Sequence, residues 1–215
     1  LLILLFTLTH IPQVQRFIGS KVAHELSEML GTEVSVGRVD LGFLNRIIID
    51  DVVVLDQQQQ EMLKTSRLSV KIDVLPLLDG RVSISAAQLF GAHLKLYRDS
   101  LSAPTNFQFV LDSLAPRDTT SQTPLDLRIN SLIMRHSSIQ YDQKDEPQAQ
   151  GRLNPAHLNL SDISAHISLK ALKEDSLNLN IKKLSFQEQS GLKLDKLTLH
   201  IEASPTKATI KDFKI

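Results

Sequence analysis

Four apolar residues, Leu68, Val70, Ile72 and Val74, alternate with Ser69, Lys71 and Asp73, and this period of two constrains the chain more than any other feature. A helix would scatter these side chains around its axis, whereas a strand places all four on one face. Pro76 ends the strand, because proline has no N–H to give to a ladder. Asp79-Gly80 then supplies the positive-φ turn from which Arg81, Val82, Ser83 and Ile84 set off in the opposite sense. Gly91 marks a second reversal, beyond which Leu94 and Leu96 alternate with His93, Lys95 and Tyr97. Residues 67–98 therefore read as three antiparallel strands with one apolar face, and the rest of the chain reads as an extension of that unit.

Upstream, residues 13–30 carry Val14, Phe17, Ile18, Val22, Leu26, Met29 and Leu30 at helical spacing, opposite Arg16, Ser20, Lys21, His24, Glu25 and Glu28. Pro12 suits the first turn of this amphipathic helix, Gly31 its C-cap, and Lys21 and Glu25 can pair at i,i+4. Its mixed-charge polar face favours a plug for the sheet end over an interfacial helix, whose polar face is normally Lys/Arg-rich. The opening run Leu1-Leu2-Ile3-Leu4-Leu5-Phe6-Thr7-Leu8 reads as the end of a transmembrane segment or of a signal peptide, or as a core helix; no small-x-small cleavage site follows it, which favours an uncleaved anchor over residues 1–11.

Residues 32–41 and 46–55 read as two further strands. In the second, Ile47 and Ile49 have one parity and Val52 and Val54 the other, so a β-bulge at Asp50-Asp51 would return all four to the same side. The paired acids do not read as a catalytic dyad, because successive strand residues point to opposite faces unless a bulge realigns them. Asn106 is placed to cap a short helix with a Phe107, Val110, Leu111 and Leu114 face. Residues 116–124 form a Pro/Ser/Thr-rich linker. From Leu125 onward strands recur about every 8 to 12 residues, the spacing of a sandwich, a barrel or an elongated groove. The expected domains are residues 1–11 (anchor), 12–31 (capping helix), 32–115 (first β-unit), 116–124 (linker) and 125–215 (second β-unit, continuing beyond the fragment).

Function classes are narrowed mainly by what is absent. Lys plus Arg and Asp plus Glu balance at 24 each, which disfavours nucleic acid as a partner. Cys is absent, so thiolate chemistry and disulfides are excluded. The seven histidines, His10, His24, His93, His136, His157, His166 and His200, show neither His-x-His nor helical i,i+4 spacing, and no P-loop, G-x-S-x-G or H-E-x-x-H motif is present. The expectation is no enzyme, no catalytic or metal residue and no cofactor.

The run Leu77-Leu78-Asp79-Gly80-Arg81-Val82-Ser83-Ile84 resembles the "LLxGxxxI" signature of TamB-like and AsmA-like envelope proteins. Leu30-Gly31-Thr32-Glu33-Val34-Ser35-Val36-Gly37-Arg38-Val39, Ile49-Asp50-Asp51-Val52-Val53-Val54 and Asn106-Phe107 are similar to further segments of that family, although Asp99-Ser100 stands where an Asp-Gly is common. The resemblance implies an all-β fold, an elongated antiparallel β-groove (a β-taco) with an N-terminal membrane-proximal amphipathic helix. It implies groove-lining, lipid-contacting roles for Leu68, Val70, Ile72, Val74, Val82, Ile84, Leu94 and Leu96. By that resemblance the chain is anchored in the inner membrane, with its bulk in the periplasm, and bridges phospholipid toward the outer membrane. The same family implies an alternative, assistance to outer-membrane β-barrel assembly with a TamA-like barrel partner. A non-conducting envelope scaffold with a filled core is the third reading. Aliphatic rows with only 5% aromatic residues suit alkyl chains better than sugars or bases.

Overall fold

The computed structural model describes residues 12–42, 45–73, 82–114, 125–148, 151–173, 176–204 and 207–215. The expected anchor, Val74, the Pro76 and Asp79-Gly80 turn, and the linker lie outside those residues. Helix α1 (Pro12–Leu30) comes first, followed by β1 (Val34–Ser35), β2 (Arg38–Gly42), β3 (Arg46–Leu55), β4 (Glu61–Asp73) and β5 (Val82–Arg98). A short helix α2 (Gln108–Leu114) leads to β6 (Leu125–Gln143), β7 (His157–Lys173), β8 (Ser176–Glu188), β9 (Lys193–Ser204) and β10 (Lys207–Lys214). Among the described residues the strands form one open sheet of ten, ordered β3-β4-β5-β6-β7-β8-β9-β10, with β1 and β2 both on the outer edge of β3.

Neighbours pair antiparallel except β5 and β6, which run parallel from Val82↔Leu125 to Arg98↔Gln143. The purely antiparallel sheet expected from the sequence is corrected at that one pair. A parallel neighbour cannot be reached by a tight hairpin, and the crossover is residues 99–124, which include α2. The two halves of the chain on either side of this crossover thus belong to one hydrogen-bonded sheet.

Gly91 is not a reversal. β5 is a single strand of 17 residues, and Gly91 lies in its middle at φ 60°, where a Cβ would stand 2.8 Å from Ser66 Oγ. Residues 67–98 therefore hold the end of one strand and the whole of a second, not three strands. The strands of the second half are also longer than expected, β6 alone spanning 19 residues. In each case alternation changes phase inside a continuous strand, and that change has the same sequence appearance as a turn.

At Asp51 the expected bulge is present in a particular form. Asp51 adopts φ 55°, and Ile49, Val52 and Val54 are all buried in one cluster with Val34, Val39 and Met62. The expected strand over residues 32–41 divides at the same level into β1 and β2, since the edge must step around this feature. Gly37 sits at the step; its N–H donates to Asp50 C=O (3.1 Å) and a Cβ there would lie 3.1 Å from Asp51 Cβ.

α1 packs Ile18, Val22, Leu26 and Leu30 against that cluster, while Phe17 is 64% exposed. It ends at Gly31 with the Thr32 N–H donating to Ser27 C=O (3.2 Å), a Schellman closure. Buried Gln15 donates to Asp40 on β2, and the i,i+4 polar contact on this helix joins His24 and Glu28 (3.4 Å), not Lys21 and Glu25. Ile18→Asp should lower stability by about 2 kcal/mol, because it sets a carboxylate against an aliphatic cluster. Urea melts of the two proteins would measure the difference.

Candidate functional site

Residues paired across a sheet share a face, so the register shows which side chains form continuous rows. One row runs Ile47, Val70, Ala87, Leu132, Ile167, Ile181, Leu199 across β3 to β9. A second runs Val39, Ile49, Leu68, Leu89, Met134, Ala165, Leu184, Leu197 across β2 to β9. A third, nearer the other end of the strands, runs Val34, Val54, Leu63, Leu94, Ile139, Leu160. At about 4.8 Å per strand the second row is about 34 Å long. No charged or polar residue interrupts any of the three.

The lining candidates fall into these rows or beside them. Leu68 and Val70 belong to the two long rows, Leu94 to the third, and Ile72 pairs with Ile84. Val82 pairs with Leu125, and Leu96 with Tyr141. Val70 is 8% exposed, so at β4 the face is already shielded. The opposite face is not uniformly wet, as Ser69 is buried and lies 3.4 Å from Arg46 Nη1.

What covers the face differs along its length. Over the first strands it is roofed by α1 and by Phe107, Phe109 and Val110 around α2. From β6 to β9 neither described helix packs extensively on the sheet, yet Leu132, Met134, Ile167, Ile181 and Leu184 are all only partly exposed.

On the outer face Asp50 accepts from Arg67 Nε (2.7 Å) and Arg38 Nη2 (2.7 Å). The Arg67 hydrogen bond is the main cause that holds its carboxyl below the usual range, Arg38 adding to it against the opposing effect of burial. Asp50 is engaged by these two guanidiniums and makes no hydrogen bond to the exposed Asp51. His157 is likewise engaged, bonded to Asp142 Oδ1 (3.0 Å) and Glu146 C=O (2.8 Å). Among the described residues no group of three or more potential ligands is placed to hold a metal, and no helix is long and apolar enough to cross a membrane.

Asn106 does not cap α2. Its Oδ1 accepts the Tyr97 N–H (3.0 Å), and its Nδ2 donates to Lys95 C=O (3.0 Å) and to Asp56 Oδ2 (3.3 Å). The α2 face also differs from expectation, with Phe109 packed on the core and Leu111 50% exposed. Asp56, 1% exposed, is the centre of this clasp. It accepts the N–H groups of Gln58 (2.9 Å) and Gln60 (3.0 Å) and the Tyr97 hydroxyl (2.7 Å). Burial is the largest single influence and pushes its pKa up, but the Gln60, Tyr97, Asn106 and Gln58 bonds together outweigh it and hold the carboxyl below its ordinary value. Burial, then the bond to Asp56, raises Tyr97 to about 12. In the sequence this clasp shows only as the polar run Gln57 to Gln60 beside Asp56, whose polarity does not point to Asn106.

Beside the clasp lies a cavity of about 360 Å3 whose walls include Gln57, Tyr97, Arg98, Asp99, Phe109 and Asp112. Its charged groups are largely met from within the chain: Asp99 by Lys144 (2.9 Å), Asp112 by Gln108 (2.9 Å), and Arg98 by Leu101 C=O (3.2 Å) and Gln143 (2.8 Å). The apolar face is the larger and more continuous feature. Comparison of the sequence with models of known protein families and with curated proteins returned no match.

Proposed function

We propose that the apolar face is a path for phospholipid acyl chains, in a periplasmic bridge held at the inner membrane and directed toward the outer membrane. The groove form, the membrane-proximal helix and the envelope setting are parts of this reading, suggested by the TamB-like and AsmA-like resemblance. The observation that carries it is the pair of uninterrupted aliphatic rows that cross from β3 to β9 and lie beyond the α1 and α2 roof over their second half. An acyl chain of ~16 carbons costs ~13 kcal/mol to bring into water at ~0.8 kcal/mol per methylene, so a carrier between membranes needs apolar contact at every step. A row of about 34 Å exceeds the ~15 Å depth of one leaflet of a ~30 Å bilayer core, enough to take a whole chain.

A photo-crosslinking residue at Leu132 or Ile181 is expected to capture phospholipid in cells, and one at the exposed Lys183 on the opposite face is not. Ile181→Asp should block lipid passage while lowering stability by about 1 kcal/mol, because a side chain that faces lipid or water accepts a charge more cheaply than one in a packed core. If neither lining position captures lipid and Ile181→Asp unfolds the protein, the face is a packed core and the scaffold reading replaces the conduit.

A further inference from the structure

The change of alternation recurs at one level in five successive strands. Asp51, Gly91, His136 and Asp162 hold φ values of 55°, 60°, 49° and 49° on β3, β5, β6 and β7. The pairs Asp50↔Arg67 and Val52↔Thr65 bracket Asp51 opposite Ser66 on β4; Thr65↔Ala92 and Arg67↔Phe90 bracket Ser66 opposite Gly91. Phe90↔Arg135 and His93↔Ser138 then bracket Gly91 beside His136, and Asp162 follows where the β6–β7 register shifts. On β4 itself Ser66 and Arg67 are both exposed between buried Thr65 and inward Leu68. Two successive side chains thus point outward between inward ones. Such an irregularity lengthens the outer side of the strand relative to the inner and bends it, which favours a sheet convex outward.

A left-handed residue inside a strand turns its neighbours' ladder groups out of line, and two buried hydroxyls take them up. The Thr65 hydroxyl is shared between Phe90 C=O (3.0 Å) and Arg67 C=O (3.2 Å). Ser137 Oγ accepts the Ala92 N–H (3.3 Å) and donates to Arg135 C=O (3.1 Å). Both side chains are 1% exposed, and both flank Gly91, one from each neighbouring strand. Buried hydroxyls on an otherwise aliphatic face are costly unless they satisfy backbone groups that would be left unpaired.

We propose that this line is a fixed crease, set by the left-handed residues and locked by Thr65 and Ser137 as positioning residues, and that it determines how sharply the two halves of strands β3 to β7 close over the apolar face. The device does not depend on what the face carries. It explains why alternation restarts on the same side in each strand: without the crease the third row would lie on the opposite face from the first two.

The test uses spin labels at the exposed Lys71 and Lys95, on either side of the crease, with hydrogen exchange at the Ala92 amide. Ser137→Ala should lower Ala92 protection by about tenfold or more and shift and broaden the label distance, while Ser137→Thr, which keeps the hydroxyl, should restore both. The exposed His136 gives an independent readout: His136→Gly should keep the label distance and raise stability, whereas His136→Val should lower stability and move the distance, the reverse of ordinary strand preference. Unchanged Ala92 exchange and label distance in Ser137→Ala, or a His136→Val protein as stable as His136→Gly, would overturn the crease. If Ser137→Ala does not fold, the His136 pair decides.

Discussion

Asp56→Ala is expected to be among the most destabilising single changes in this chain, at about 3 to 5 kcal/mol, since several charge-assisted hydrogen bonds of ~1.5–3 kcal/mol converge on one buried carboxylate and are not independent. The loss would fall on three segments at once: the turn after β3, the end of β5 at Tyr97, and the loop held by Asn106. The same clasp sets two limbs of the pH dependence. Asp56 has a depressed folded pKa, so its contribution is present above the unfolded value of about 3.9 and is lost as pH falls through the folded value. Tyr97 has a raised pKa, so its contribution is complete below the unfolded value of about 10. It is lost as pH rises from there through the folded value of about 12. Urea midpoints measured from pH 2 to 11 should show both limbs. Asp56→Asn should make the acid limb shallower, Asp50 carrying part of what remains, and Tyr97→Phe should do the same to the alkaline one. An Asp56→Asn protein with the wild-type acid profile would place the titrating group elsewhere.

Gly91→Val should cost about 2 to 4 kcal/mol, although valine ordinarily favours strands. A left-handed backbone costs a residue with a Cβ roughly 1–2 kcal/mol, and overpacking adds about 1–3 kcal/mol. The Cβ would stand 2.8 Å from Ser66 Oγ and 3.4 Å from Ser66 Cβ, so the Ser66 side chain has to turn away to admit it. Gly91→Val with Ser66→Gly should recover the steric part and leave the conformational part. Thermal or urea unfolding of the wild type and these two variants separates the two contributions, and a Gly91→Val protein of wild-type stability would mean that the strand relaxes to ordinary φ at no cost.

The period-two pattern by itself determined that residues 68–73 form a strand with an aliphatic face, and helical spacing determined α1, because both follow from where successive side chains point along one element. Parity likewise predicted the irregularity at Asp50-Asp51, where four aliphatic residues had to reach one core. At Gly91, and within β6 and β7, the same parity change was misread as a break between strands. A phase slip and a turn look alike in one dimension and differ only in whether the neighbouring strand continues alongside. The parallel partnership of β5 with β6 was also decided only in three dimensions, since it depends on the path of the crossover and not on the pattern of either strand. Asn106 shows the limit most clearly: next to α2 its local role would be a cap, but Asp56, fifty positions earlier in the chain, offers a buried carboxylate. The Oδ1 that a cap would use accepts the Tyr97 N–H instead, and Nδ2 donates to Lys95 C=O and to Asp56, groups that only the folded chain brings beside Asn106.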